Sequence, residues 1–143
     1  MPSSGVLERA GVPIIDERSA ADALGGGRNE AVLLFFPGDP AQRPETADVA
    51  VIFPELLAAF QGRLRGAVVA LGAERTLGQV YHVDVFPSLA VIRAGVTIGV
   101  IPRVRDWADY VQKIEAFLDP AAQPLAQAAP RVAITSAYKG ATA

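Results

Sequence analysis

The sequence predicts a three-layer α/β/α sandwich built on a mixed sheet, in the element order β-α-β-α-β-α-β-β-α. Three observations carry this. Segments with strand character alternate with segments of helical periodicity over most of the 143 residues, which implies parallel strands joined by right-handed crossovers. Ala31 to Phe36 (Ala-Val-Leu-Leu-Phe-Phe) is apolar at every position, so its strand must be covered on both faces. Near the end, two apolar runs meet at Arg93-Ala94-Gly95, a tight hairpin signal that adds antiparallel strands to the sheet.

The elements follow in order. Met1 to Val12 is polar and irregular. Pro13-Ile14-Ile15 is a short apolar strand, and Asp16 is a candidate cap for a helix over Glu17 to Leu24. Gly25-Gly26-Gly27 closes that helix, since glycine accepts positive φ. These glycines follow a helix and do not open one, so they are no phosphate loop. The central strand, Ala31 to Phe36, ends at Pro37-Gly38-Asp39-Pro40, which cannot continue a strand. Val49, Ile52, Phe53, Leu56, Leu57, Phe60 and Leu64 recur at helical spacing and mark an amphipathic helix, with Pro54 inside it as a kink and Gly62 and Gly66 as stop signals. Gly66 to Gly72 is read as the next buried strand, and Ala73 to Tyr81 as a short helix. Ser88 to Ile92 and Val96 to Ile101 form the hairpin. Asp106 can cap a last helix with Trp107, Tyr110, Val111, Ile114, Phe117 and Leu118 as its apolar positions, of which Trp107 and Tyr110 are read as core residues and not as a ligand-stacking pair. After Asp119 the chain is rich in Pro, Ala and Gln and specifies neither helix nor strand. Residues 1–118 are therefore expected to form one domain and 119–143 a tail.

Composition excludes several chemistries. The chain has no cysteine and a single histidine, which removes disulfides, thiolate nucleophiles, iron–sulfur clusters and the common zinc sites. No metal or other cofactor is expected. A net charge of −2 argues against a nucleic-acid partner, which would select a basic face. Met1 to Asp16 lacks a basic segment followed by an apolar one, and Leu89 to Ile101 is too short to span a bilayer, which takes ~20 apolar residues. The reading is a cytoplasmic protein with no membrane insertion.

The element order is that of thioredoxin, and the chain resembles the thioredoxin-like superfamily from about Pro13 to Leu118. Val85-Phe86-Pro87-Ser88-Leu89 followed by Ala90 to Gly95 resembles the family's cis-proline stretch, Val51 to Leu57 its proline-kinked helix, and Ala31 to Phe36 its central strand. The resemblance implies a cis Phe86–Pro87 bond beside the loop from Pro37 to Thr46. The redox motif that the family carries at the start of the kinked helix is absent. Leu34 falls near the position of the family's buried carboxylate. Glu74 to Leu89, together with the long Pro37-Gly38-Asp39-Pro40 loop and the Pro/Ala-rich tail, is similar to the HyaE/HupG group of [NiFe]-hydrogenase maturation proteins. That resemblance implies a chaperone, not an enzyme, which binds the twin-arginine signal peptide of the hydrogenase small-subunit precursor.

Five residues follow as a candidate partner site. Phe86 and Pro87 lie in the loop that faces the partner in the thioredoxin fold, where the backbone can add to an extended peptide; alternatively Pro87 only shapes a turn. Asp39, Glu45 and Asp48 form an acidic rim suited to paired arginines, or merely complement the helix dipole. Glu55 belongs to the same acidic group. His82, Asp84 and Ser88 are close in sequence, but proximity along the chain is no evidence for a hydrolytic triad. A structural adaptor or homodimer is the alternative function, and a glutathione-dependent enzyme using Ser or Tyr a weaker third. Lacking any thiol, the protein is expected to give no turnover above a protein-free blank in an insulin-reduction assay.

Overall fold

A computed structural model describes residues 12–25, 31–39 and 41–125. Among these residues five strands form a single sheet: β1 (Ile14–Ile15), β2 (Ala31–Phe36), β3 (Leu64–Val69), β4 (Ser88–Arg93) and β5 (Val96–Pro102). The helices are α1 (Ala20–Leu24), α2 (Glu45–Ala59), α3 (Glu74–Tyr81) and α4 (Trp107–Leu118). Strand order is β1-β3-β2-β4-β5, with β1–β3 and β3–β2 parallel and β2–β4 and β4–β5 antiparallel. This is the mixed α/β sheet that the sequence predicts.

β2 explains the layering. Its six residues are all buried, and successive side chains point to opposite faces. Ala31, Leu33 and Phe35 join Val49, Phe53 and Leu56 of α2 and Tyr110 and Ile114 of α4 in one core. Val32, Leu34 and Phe36 join Leu24 of α1 and Leu77 and Tyr81 of α3 in another. Phe35 and Phe53 lie with ring centroids 5.3 Å apart, an edge-tilted pairing that adds to area burial. The β4–β5 connection is a two-residue turn with Ala94 and Gly95 both at positive φ (53° and 80°), the primed geometry that matches strand twist.

Several boundaries move. The helix read from Glu17 starts at Ala20, because the Asp16 carboxylate accepts the amides of Arg18 and Ser19 and holds those residues in a turn. β3 starts at Leu64 rather than Gly66 and ends at Val69. Backbone pairing with β2 runs back to Ala31–Leu64, and Leu71–Ala73 turns into a 3₁₀ segment. Gly66 is thus a strand residue, whereas Gly62 does turn the chain, at φ 86°. Asp106 occupies the cap position of α4 without a side-chain capping bond. Trp107, read as core, is 45% exposed: it opens α4 one turn before Tyr110, where full burial begins. Asp119 to Ala122 close a turn, with Asp119 and Ala122 carbonyls both accepting from Arg93. Pro40, Gly26, Gly27 and the tail from residue 126 lie outside the described residues.

Gly78 on α3 has no room for a side chain, since a Cβ there would collide with the Val83 carbonyl oxygen. That oxygen belongs to backbone held by the Val83 amide bonding back to Gly78 at 2.8 Å. Gly78→Ala is expected to lower stability by ~1–3 kcal/mol, the usual cost of overpacking, read as a lower denaturant midpoint at unchanged slope.

Candidate functional site

The Phe86–Pro87 peptide bond is cis. Pro87 is buried, while Phe86 is half-buried and stacks on Phe36 with centroids 6.0 Å apart. The loop that follows β2 passes alongside: a Cβ built on Gly38 would lie 2.9 Å from Phe86 Cβ and 3.3 Å from Arg43 Cγ. Gly38 adopts φ 77°, a conformation that glycine accepts without strain. Glycine at this position therefore serves both the turn and the close approach to Phe86. Thr46, fully buried, donates its hydroxyl to the Pro37 carbonyl at 2.5 Å, which fixes the start of α2 against the end of β2.

The five predicted site residues are brought together unequally. Asp39 follows Gly38 and so lies next to Phe86, but its carboxylate accepts the Ala41 amide at 3.0 Å and its carbonyl accepts from Gln42 and Arg43. It is spent on shaping its own loop. Glu45, the first residue of α2, reaches Pro87 through one intermediary: Arg103 donates its backbone amide to the Pro87 carbonyl at 2.8 Å and its guanidinium to Glu45 at 3.3 Å. Asp48 is exposed in the first turn of α2 and forms no ion pair among the described residues. Neither the amide nor the carbonyl of Phe86 is hydrogen-bonded among the described residues.

Glu74 is the residue that sequence reasoning missed. It is only 7% exposed, and its carboxylate accepts the Gly38 amide, joining α3 to the loop beside Phe86. Burial pushes its pKa above the ordinary glutamate range, the Gly38 bond opposes this, and nearby Asp39 adds to the rise. Its signal lay in spacing: Glu74, Leu77, Gly78 and Tyr81 form the buried stripe of α3, so the acid heads an i, i+3, i+4, i+7 pattern. Leu34, by contrast, is fully buried in apolar core.

No hydrolytic constellation forms. His82 ends α3 at φ 66° and is exposed, Asp84 is exposed, and Ser88 is buried with its hydroxyl donated to the Val85 carbonyl at 2.5 Å. Tyr81 and Tyr110 are buried, the latter donating to the Arg103 carbonyl and accepting the Arg105 amide, both at 3.1 Å. Among the described residues no cluster of His, Asp or Glu could hold a metal ion, and no helix is long and apolar enough to cross a membrane. What the site offers is a half-exposed aromatic ring, the backbone amide and carbonyl of one residue, Phe86, without a partner among the described residues, and a nearby carboxylate.

Glu74 generates a pH prediction. A carboxyl whose folded pKa is raised contributes its full stability below the unfolded value and loses it as pH rises through the folded value. Glu74→Gln, which keeps an oxygen for the Gly38 amide, is therefore expected to raise the denaturation midpoint at pH 7. The gain should fade towards pH 4. A gain that is constant with pH would show that ionisation of Glu74 is not its source.

The model of the family described as hydrogenase-1 expression protein HyaE matches residues 4–110. The chain is 46% identical over 145 residues to the hydrogenase expression/formation protein HupG of Rhizobium leguminosarum bv. viciae, covering 97% of each. It is 42% identical to HupG of Bradyrhizobium diazoefficiens, covering 90% of this chain and 86% of that one. A crystal structure of a HupG-type expression/formation protein from Rhodopseudomonas palustris is 44% identical, with a TM-score of 0.55 over 78% of this chain and 99% of that chain.

Proposed function

The chain belongs to the HyaE family of hydrogenase expression proteins, with a thioredoxin-like fold, and from that premise we propose that it is a non-catalytic chaperone. In this reading it binds, in the cytoplasm, the twin-arginine signal peptide of the hydrogenase small-subunit precursor. Residues 1–118 form the binding domain and 119–143 a tail.

One observation carries the reading: beside cis-Pro87, the Phe86 amide and carbonyl have no hydrogen-bond partner among the described residues while its ring is half-exposed. An extended peptide can add to such a backbone as a short strand and seat an apolar side chain on the ring. Glu45 and Asp48, in the first turn of α2, supply carboxylates for guanidinium groups, whose paired donors match them. The absence of cysteine and the engagement of Ser88, Tyr81 and Tyr110 in the core support binding over catalysis. The adaptor alternative draws on exposed Val104 and Trp107, an apolar corner next to Arg103.

The test is titration of a labelled hydrogenase signal peptide, its Lys-Lys variant and a scrambled control. The native peptide is expected to bind most tightly. Phe86→Ala should speed dissociation, because a central aromatic anchor carries affinity. Replacing Asp39, Glu45 and Asp48 together by amides should slow association and flatten its dependence on ionic strength, since rim charges act mainly on encounter. Equal affinity for native and scrambled peptides would overturn the proposal, and a stable dimer without peptide binding would favour the adaptor.

A further inference from the structure

Within the signal-peptide reading, on which this inference rests, one acidic residue of the rim is already occupied. Arg103 Nη1 sits 3.3 Å from Glu45 Oε2, and the two side chains are 56% and 36% exposed. We infer that Arg103 is an internal competitor for the arginine-binding carboxylate: its guanidinium holds Glu45 until an arginine of the bound peptide replaces it.

The geometry makes that exchange local. The Arg103 amide is held by the Pro87 carbonyl at 2.8 Å, and its carbonyl by the Tyr110 hydroxyl at 3.1 Å. Tyr110 is itself fully buried, so the Arg103 backbone is anchored to the core on both sides. Only the side chain is free to swing. Its backbone sits at φ 65°, which few residues other than Gly and Asn accept readily, so the side chain is launched towards α2 from a fixed and uncommon turn. The contact with Glu45 is a single hydrogen bond, not a two-pronged one. An exposed pair of this kind is worth at most about a five-fold factor. A peptide arginine that engages Glu45 with both prongs makes the stronger contact and displaces it. The same backbone that presents Arg103 also borders Pro87, so the displacing arginine and a strand paired with Phe86 belong to one continuous surface. Arg63, just beyond the C-terminal end of α2, and Glu115 of α4, by comparison, form a two-pronged pair at 3.0 and 2.9 Å, and Glu115 is thereby not available to an incoming cation.

The experiment measures binding of the labelled signal peptide and a Gln-Gln variant to wild-type protein, Arg103→Asn, Glu45→Gln and the double variant. Asparagine tolerates the left-handed backbone and carries no charge. Arg103→Asn is expected to bind the Arg-Arg peptide about two- to five-fold more tightly than wild type, with no gain for the Gln-Gln peptide. The gain should vanish in the Glu45→Gln background. Unchanged or weaker binding of Arg103→Asn, with wild type still binding, overturns the inference and leaves the signal-peptide reading standing. Binding by Arg103→Asn alone supports it. Binding by neither protein overturns both. Should Arg103→Asn fail to fold, Arg103→Gly, which also accepts the left-handed backbone, reads the same contact: it must bind the Arg-Arg peptide more tightly than wild type with no gain for the Gln-Gln peptide, and unchanged or weaker binding overturns the inference.

Discussion

The structure depends on a strand that has no polar side. With all of Ala31 to Phe36 buried, leaving either face of β2 in water would expose several large side chains, each worth ~1.5–3 kcal/mol in burial. The chain therefore has to supply a helical layer on both faces, and it does so with α2 and α4 on one and α1 and α3 on the other. The loop after β2 emerges between those layers, which is why it meets the start of α2, the start of α3 and the Phe86–Pro87 loop at one place. Thr46 and Glu74 are the polar residues that fasten this junction, through the Pro37 carbonyl and the Gly38 amide.

What could be read from the sequence was what local chemistry determines. The apolar run of β2 and the Ala94-Gly95 turn each carry their conformation in adjacent residues, and each stands where the pattern placed it; the cis Phe86–Pro87 bond was an expectation of the family resemblance, since adjacent residues alone leave an X–Pro bond mostly trans. What could not be read depends on partners distant in sequence. β3 begins at Leu64 because β2 offers a backbone partner there, although Arg65 looks like a loop residue. Trp107 is spaced like a core residue yet sits at a helix end that the sheet does not cover. Glu74 reads as an ordinary first-turn acid until Gly38, 36 residues earlier, is placed above it.

The candidate site divides along the same line. The aromatic and proline half came from the family resemblance, and the structure sets Phe86 against Phe36 and Gly38 there. The acidic half was legible in composition but not in role: Asp39 turns inward to its own loop, Glu45 meets Arg103, and Asp48 faces solvent without an ion pair among the described residues. Charge counting along a chain gives each carboxylate equal weight, whereas the fold engages them one by one.

Tyr110 has a consequence for the thermodynamics of recognition. Its buried hydroxyl accepts the Arg105 amide and donates to the Arg103 carbonyl, so the rim beside Pro87 is ordered before any ligand arrives. Ordering a flexible loop on binding would cost conformational entropy for each residue fixed. Under the proposed function, with the protein side preorganised, that cost would fall on the peptide, and affinity would be sensitive to how extended the free peptide already is. A ligand stiffened in an extended form would gain affinity here without one additional contact.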